Sequence, residues 1–198
     1  DTIQSRGLGD VYKRQALSET NARVTFLVNP NAPSGTLVST SEVAEVAAKV
    51  RGILVVDEAY VDFSEGGCIN LIQDFDNVVV VRTMSKSFSL AGMRIGFACA
   101  SPELIAGMWK VKDHYNLNRL SLVAAEAALE DIASMRKNAE RICNTRARLT
   151  EDLRALGLFV WDSAANFVLA RSPNAPAENL YNALRERKIL VRYFNQPR

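Results

Sequence analysis

The sequence predicts an α/β protein on a largely parallel sheet, and three observations carry that expectation. Short β-branched apolar runs alternate with a helical apolar period, in the order strand, helix, strand. Hydrophobic residues make up 48% of 198, enough for one sizeable core or a large and a small lobe and too many for disorder. Beyond Gly157 the texture changes to short strands around one helix, which reads as a small α+β lobe.

Residues 24–28, Val-Thr-Phe-Leu-Val, form a short apolar run ending at Asn29-Pro30, as a buried strand entering a loop should. After a loop rich in Pro, Asn, Ser and Gly, Ser39 precedes Glu42 at capping-box spacing. Val43, Val46, Ala47 and Val50 then give a helix its apolar face, with Gly52 expected to close it. Residues 53–56 predict a second buried strand with Asp57 at its carboxyl end, and 78–81 a third, after an acidic, Gly-rich connection. A fourth strand is expected at 95–100. A helix starting at Pro102-Glu103 should run to about Lys112, with further helical patterns near 120–129 and 135–156. In the small lobe, 158–161, 167–170 and 190–192 read as strands and 177–187 as a helix.

The division that follows is a large domain over 16–132 and a smaller one over 133–198, without internal repeats. Residues 1–15 show no sustained period and join the patterned chain abruptly. They read as a leader foreign to it, resembling adaptor read-through in assembled sequence. Gly7 and Gly9 lack the preceding strand and third glycine of a phosphate loop.

Lys and Arg total 24 against 22 Asp and Glu, so the net charge of +2 gives no reason to expect nucleic acid or a membrane surface; a small-molecule partner is expected. Cys68, Cys99 and Cys143, odd in number and widely spaced, fit neither a disulfide framework nor a metal site and read as reduced thiols. No run approaches the roughly 18 apolar residues of a membrane helix, and no signal-peptide order opens the chain; a cytoplasmic protein is expected.

Parallel sheets bind ligands beyond the carboxyl ends of their strands, so residues 29–35, 57–60 and 82–94 should share one crevice. Lys86 stands there in Thr83-Met84-Ser85-Lys86-Ser87-Phe88-Ser89-Leu90-Ala91-Gly92-Met93-Arg94. Alone, a lysine among serines describes a solvated loop, and Asp57 alone a turn or helix cap. Together they match what pyridoxal-phosphate chemistry needs. An amine must form a Schiff base with the cofactor aldehyde, and a carboxylate must hold the pyridine nitrogen protonated so that the ring accepts electrons. Tyr60, three residues past Asp57, offers a phenol to the ring oxygen. Arg94, with the Thr83 and Ser85 hydroxyls nearby, offers a fork for a phosphate.

The motif from Thr83 to Gly92 resembles the lysine-attachment signature of fold-type I pyridoxal-phosphate enzymes in the histidinol-phosphate aminotransferase subgroup. Asn29-Pro30-Asn31-Ala32-Pro33-Ser34-Gly35, Asp57 to Tyr60, and Ala165-Asn166-Phe167 follow that family's order, and the resemblance runs from about Ala16 to Arg198. It implies that Lys86 attaches the cofactor and shuttles the proton of the substrate's α-carbon. It also sets Asp57 on the pyridine nitrogen, Tyr60 on the ring oxygen, and Thr83, Ser85 and Arg94 on the phosphate. Arg192 matches an arginine facing the substrate's own phosphate, although by itself it reads equally as an edge-strand arginine; Asn166 is placed with the substrate. Many relatives carry asparagine immediately before Pro33 where this chain has Ala32, so Asn31, otherwise a turn residue, is the candidate for that amide.

The activity implied is transfer of an amino group from L-histidinol phosphate to 2-oxoglutarate, giving imidazole-acetol phosphate and L-glutamate in histidine biosynthesis. Alternatives are threonine-phosphate decarboxylation, aromatic transamination, and a non-catalytic remnant. Family members are about twice this length and homodimeric. Their Gly-rich turn under the cofactor phosphate is expected before Ala16 and their carboxylate-clamping arginine after Arg198, so the chain taken alone is expected to fold poorly and be inactive. His114, the single histidine, reads as a helix-end residue, and Arg136, Lys137, Glu140 and Arg141 as a solvated helix face.

Overall fold

The computed structural model describes residues 21–194 and the backbone of Thr2–Gln4. Its centre is a five-stranded sheet in chain order: β1 (Thr2–Gln4), β2 (Val24–Val28), β3 (Ile53–Asp57), β4 (Val78–Thr83) and β5 (Gly96–Ala100). The first four are parallel; β5 returns antiparallel along β4. The expected sheet is thus present, with strand bounds at 24–28 as predicted and β4 running two residues further, to Thr83.

Helix α1 (Thr40–Lys49) crosses between β2 and β3 and buries Val43, Val46 and Ala47 against Leu27, Leu54, Val56, Val78 and Val80. Its start is the predicted capping box: the Ser39 hydroxyl accepts the Glu42 N–H, and the Glu42 carboxylate accepts the Ser39 N–H at 2.9 Å. Leu54 is fully buried in this layer, and truncating it to alanine should cost about 2–5 kcal/mol. Gly52 does not close the helix as expected. Val50 is the C-cap, in extended conformation, and Gly52 lies where a Cβ would stand 2.3 Å from the Arg23 carbonyl, so its role is close chain approach.

The one-turn α2 (Leu71–Asp74) precedes β4, and α3 (Pro102–Val111), α4 (Arg119–Glu130) and the long α5 (Ile132–Ala155) follow β5. A two-stranded antiparallel ribbon, β6 (Phe159–Val160) with β7 (Ala170–Arg171), and α6 (Ala177–Glu186) complete the described chain. Helix α5 is tied back to the sheet by Arg146, whose guanidinium donates to the Phe63 carbonyl at 3.0 Å and the Ala165 carbonyl at 2.6 Å.

Three expectations fail. Residues 190–192 are not a strand: Lys188 ends α6 in the left-handed region (φ 62°), and the exposed segment beyond it lies against no described strand. The strands expected at 158–161 and 167–170 shrink to two residues each, since the intervening 161–169 loop leaves the ribbon toward Gly35 and Tyr60. Thr2–Gln4, within the stretch expected to lack regular structure, pairs its backbone with β2; three residues are too few to show a period, and an open strand edge accepts them. His114 sits exposed in the turn after α3, and Arg136, Lys137, Glu140 and Arg141 are exposed on α5. No described helix is long and apolar enough to cross a membrane.

Candidate active site

Parallel register brings three loops to one end of the sheet. Val28 lies opposite Asp57, and Asp57 opposite Val81, so the chain leaves β2, β3 and β4 at nearly one level. Two backbone hydrogen bonds extend the ladder into the loops: Asn29 N–H to the Asp57 carbonyl (2.9 Å) and Glu58 N–H to the Val81 carbonyl (2.8 Å). The segments 29–35, 57–60 and 82–94, expected to share one crevice, therefore leave the same end of the sheet, as the strand register dictates.

Lys86 is exposed on a turn closed by Ser89 N–H to the Lys86 carbonyl (3.1 Å) and Leu90 N–H to the Met84 carbonyl (3.0 Å). Its Nζ lies 5.3 Å from the centroid of the Tyr60 ring. That separation suits a cation–π contact, and among the described residues no carboxylate pairs with the amine. The Asp57 carboxylate, half-buried, accepts the Ala59 N–H through Oδ1 at 3.0 Å, which orients it and leaves Oδ2 available. Asn31 is buried; its amide nitrogen donates to Ser34 Oγ at 2.8 Å, while Oδ1 has no partner. An orphaned buried amide oxygen is costly unless a further group meets it.

The phosphate candidates separate. The Thr83 hydroxyl donates to the Ile95 carbonyl (3.2 Å) and accepts the Ser85 N–H (3.1 Å), so it shapes the turn and presents no free donor. Ser85 is half-buried beside it. Arg94, in the left-handed region (φ 53°) and exposed, uses one guanidinium nitrogen on the Ala91 carbonyl (3.1 Å) and keeps other N–H groups for an anion.

Two other predicted residues lie outside this cluster. Asn166 is exposed, but its neighbour Phe167 packs edge-on against Tyr60 at 5.0 Å, which brings the 163–167 loop to the crevice. The same loop meets Gly35, whose carbonyl accepts the Ala164 N–H at 2.7 Å. A Cβ at Gly35 would collide with Ser163 and meet a φ of +77°. Arg192 is exposed beyond α6, its guanidinium over its own segment's Phe194 ring at 5.6 Å.

Sequence reasoning missed two pairs that join the loops. Glu58, with its side chain fully buried, receives the Arg82 guanidinium at 2.7 and 2.8 Å and the Cys68 N–H. Ser87, also buried, donates to the Asp62 carboxylate. A glutamate directly after the buried strand β3 was a signal for the first; the second had none beyond its position beside Lys86.

A lysine, a strand-end carboxylate and a phenol gathered beyond the carboxyl ends of a parallel sheet define the class. The chain belongs to the aminotransferase class I and II family, whose model matches residues 4–198, beginning inside the stretch read as a leader. Among curated proteins it is 48% identical over 174 residues to histidinol-phosphate aminotransferase 1 of Nostoc sp., covering 88% of this chain and 49% of that protein. It is 46% identical to histidinol-phosphate aminotransferase of Citrifermentans bemidjiense, covering 99% of this chain and 56% of the relative. The crystal structure of histidinol-phosphate aminotransferase from Sinorhizobium meliloti in complex with pyridoxal-5'-phosphate matches with a TM-score of 0.81 at 28% identity, over 89% of this chain and 50% of that one. The fold is that of the fold-type I enzymes, and the chain spans about half the length of the curated relatives it matches.

Proposed function

We propose that this chain carries the cofactor lysine of a pyridoxal-phosphate-dependent aminotransferase that moves the amino group of L-histidinol phosphate to 2-oxoglutarate in histidine biosynthesis. The observation that carries this reading is the Lys86 amine, 5.3 Å from the Tyr60 ring, beside the strand that ends in Asp57. The names of relatives at 46–48% identity support the substrate.

The residues present fit the cofactor. Asp57 has a free oxygen for the pyridine nitrogen, and Ser85 and Arg94 have donors for a phosphate, while the unpartnered atom of Asn31 is its Oδ1, an acceptor. Bound pyridoxal phosphate supplies an aldehyde for attachment and a ring that stores the electron pair left when the α-proton departs. Lys86 Nζ takes that proton from one carbon and returns it to another. The Asp57 carboxylate keeps the ring nitrogen protonated, because an anion beside a cation favours its charged form. The Tyr60 phenol would donate to the ring oxygen, joined by the Asn31 amide through the N–H that Ser34 does not take, and Thr83 holds the turn from which Ser85 and Arg94 would reach the phosphate.

Arg192 is assigned to the substrate's phosphate and Asn166 to the substrate, both following the family's motif order. Residues 16–132 are read as the cofactor-binding domain, 133–198 as the small domain and 1–15 as the foreign leader. A cytoplasmic homodimer is the assembly proposed, supported by three free cysteines and by apolar side chains left exposed on α3 and α4, Trp109 and Leu120 among them.

Borohydride reduction of the protein with pyridoxal phosphate, followed by peptide mapping, should place the reduced cofactor on Lys86. Glutamate formation should then be faster with histidinol phosphate than with phenylalanine, and threonine phosphate should release no carbon dioxide. The cofactor on another lysine would remove the central residue; preference for phenylalanine or threonine phosphate would change the substrate alone.

A further inference from the structure

Lys86 has no side-chain bond of its own to the crevice, yet its amine lies over Tyr60, on a loop from a different strand. Something must fix the two loops relative to each other. The backbone ladder ends at Glu58 and Val81, and the Glu58–Arg82 pair acts at the same level, five and four residues short of Lys86's turn. Beyond that level one side-chain hydrogen bond joins them: the Ser87 hydroxyl, on the residue after Lys86, donates to the carboxylate of Asp62, two residues after Tyr60.

The setting makes this bond a fixed strut. Ser87 is buried at 3% exposure, and Asp62 stands in the 3-10 turn Val61–Phe63, whose Val61 and Phe63 are buried on either side of it. Lys86 itself is exposed, so its backbone is held by the buried Met84 on one side and Ser87 on the other. A hydrogen bond to a carboxylate acceptor is worth more than a neutral one, about 1.5–3 kcal/mol, and Ser87 makes this one from a buried position. We infer that Asp62 and Ser87 are positioning residues: their hydrogen bond sets the Lys86 amine against the Tyr60 ring, so that one bound cofactor would meet both residues. This rests on the reading of Lys86 as the cofactor lysine.

Ser87→Ala, Asp62→Ala and Asp62→Asn test it in the protein, prepared without cofactor and titrated with pyridoxal phosphate. The alanine variants should capture the cofactor on Lys86 with affinity lowered roughly tenfold to a hundredfold, the fold-change matching loss of one charge-assisted bond. Asp62→Asn keeps an acceptor oxygen and should recover most of that loss. In the cofactor-free protein, acetylation of Lys86 relative to the exposed Lys137 should change severalfold in Ser87→Ala and stay near the parent's in Asp62→Asn. A role in folding alone would lower the melting temperature while leaving capture and labelling below it unchanged, and that result overturns the proposal. Should Ser87→Ala fold poorly, the Asp62→Ala and Asp62→Asn pair decides in its place: equal capture by both overturns the proposal. Reduced cofactor on a different lysine in the parent would instead overturn the reading of Lys86 on which this one rests.

Discussion

The loops leaving β3 and β4 and the segment after α5 both border the crevice, but they are held by different means. The first pair is continuous with a buried parallel ladder and is cross-linked by an ion pair to the buried Glu58 and by a bond from the buried Ser87 hydroxyl to a half-buried carboxylate. The segment 158–194 has a ribbon of two residues per strand, and it reaches the crevice through single contacts: Arg146 to Ala165, Ala164 to Gly35, Phe167 to Tyr60. Where backbone pairing sets the geometry, side chains inherit it. Where it does not, each side chain must be held individually, and Arg192, proposed above for the substrate's phosphate, stands on exposed chain.

The contrast is tested most severely at Glu58. Its carboxylate is fully buried and Arg82 only partly exposed, so Glu58→Gln leaves a guanidinium without its counter-charge and should cost about 3 kcal/mol of stability, measured by urea unfolding. Replacing both partners by methionine should recover much of that loss, since an ion pair gains little over apolar packing. A Glu58→Gln variant as stable as the parent would show that the loops are held by the ladder alone.

Asp57→Asn follows in size. The amide should retain the cofactor yet lose roughly 10- to 1000-fold in turnover, because an adjacent anion raises a cationic partner's pKa by about 1–3 units. Near-parental kcat would remove Asp57 from the chemistry. On the less braced side, Arg192→Ala should raise KM for a phosphorylated amine roughly ten- to a hundredfold and leave its unphosphorylated analogue unaffected. Equal effects on both would make Arg192 structural.

The same contrast governs what was legible in the sequence. The strands 24–28, 53–57 and 78–83 announce themselves as β-branched runs, and Ser39 with Glu42 marks the start of α1, because local pattern and burial agree there. Lys86, Asp57 and Tyr60 follow from chain position at strand ends, which register converts into proximity. The expected strand at 190–192 fails because Leu190 and Val191 are apolar without a neighbouring strand to pair with, a fact that no local pattern encodes. The bond of the Thr83 hydroxyl to the Ile95 carbonyl is equally invisible in local pattern, since the antiparallel return of the chain into β5 places that carbonyl there.

The smallest expected effect lies under the braced wall, at Cys68. Burial pushes its thiol up to about 11 from 9.0, with the Glu58 charge adding to the shift and a contact from the Asn29 amide opposing it. The folded state therefore favours the protonated thiol more than the unfolded state does. That contribution is intact below pH 9, shrinks as pH rises between about 9 and 11, and is gone above the folded value. Stability of the parent should accordingly fall more steeply across that window than that of Cys68→Ala, compared as the difference between their urea midpoints at each pH. Below pH 9 a thiol reagent should modify the half-buried Cys99 and Cys143 well before Cys68, since reactivity requires both thiolate and access. Parallel pH profiles for parent and variant would mean that neither burial nor the Glu58 carboxylate raises the Cys68 thiol.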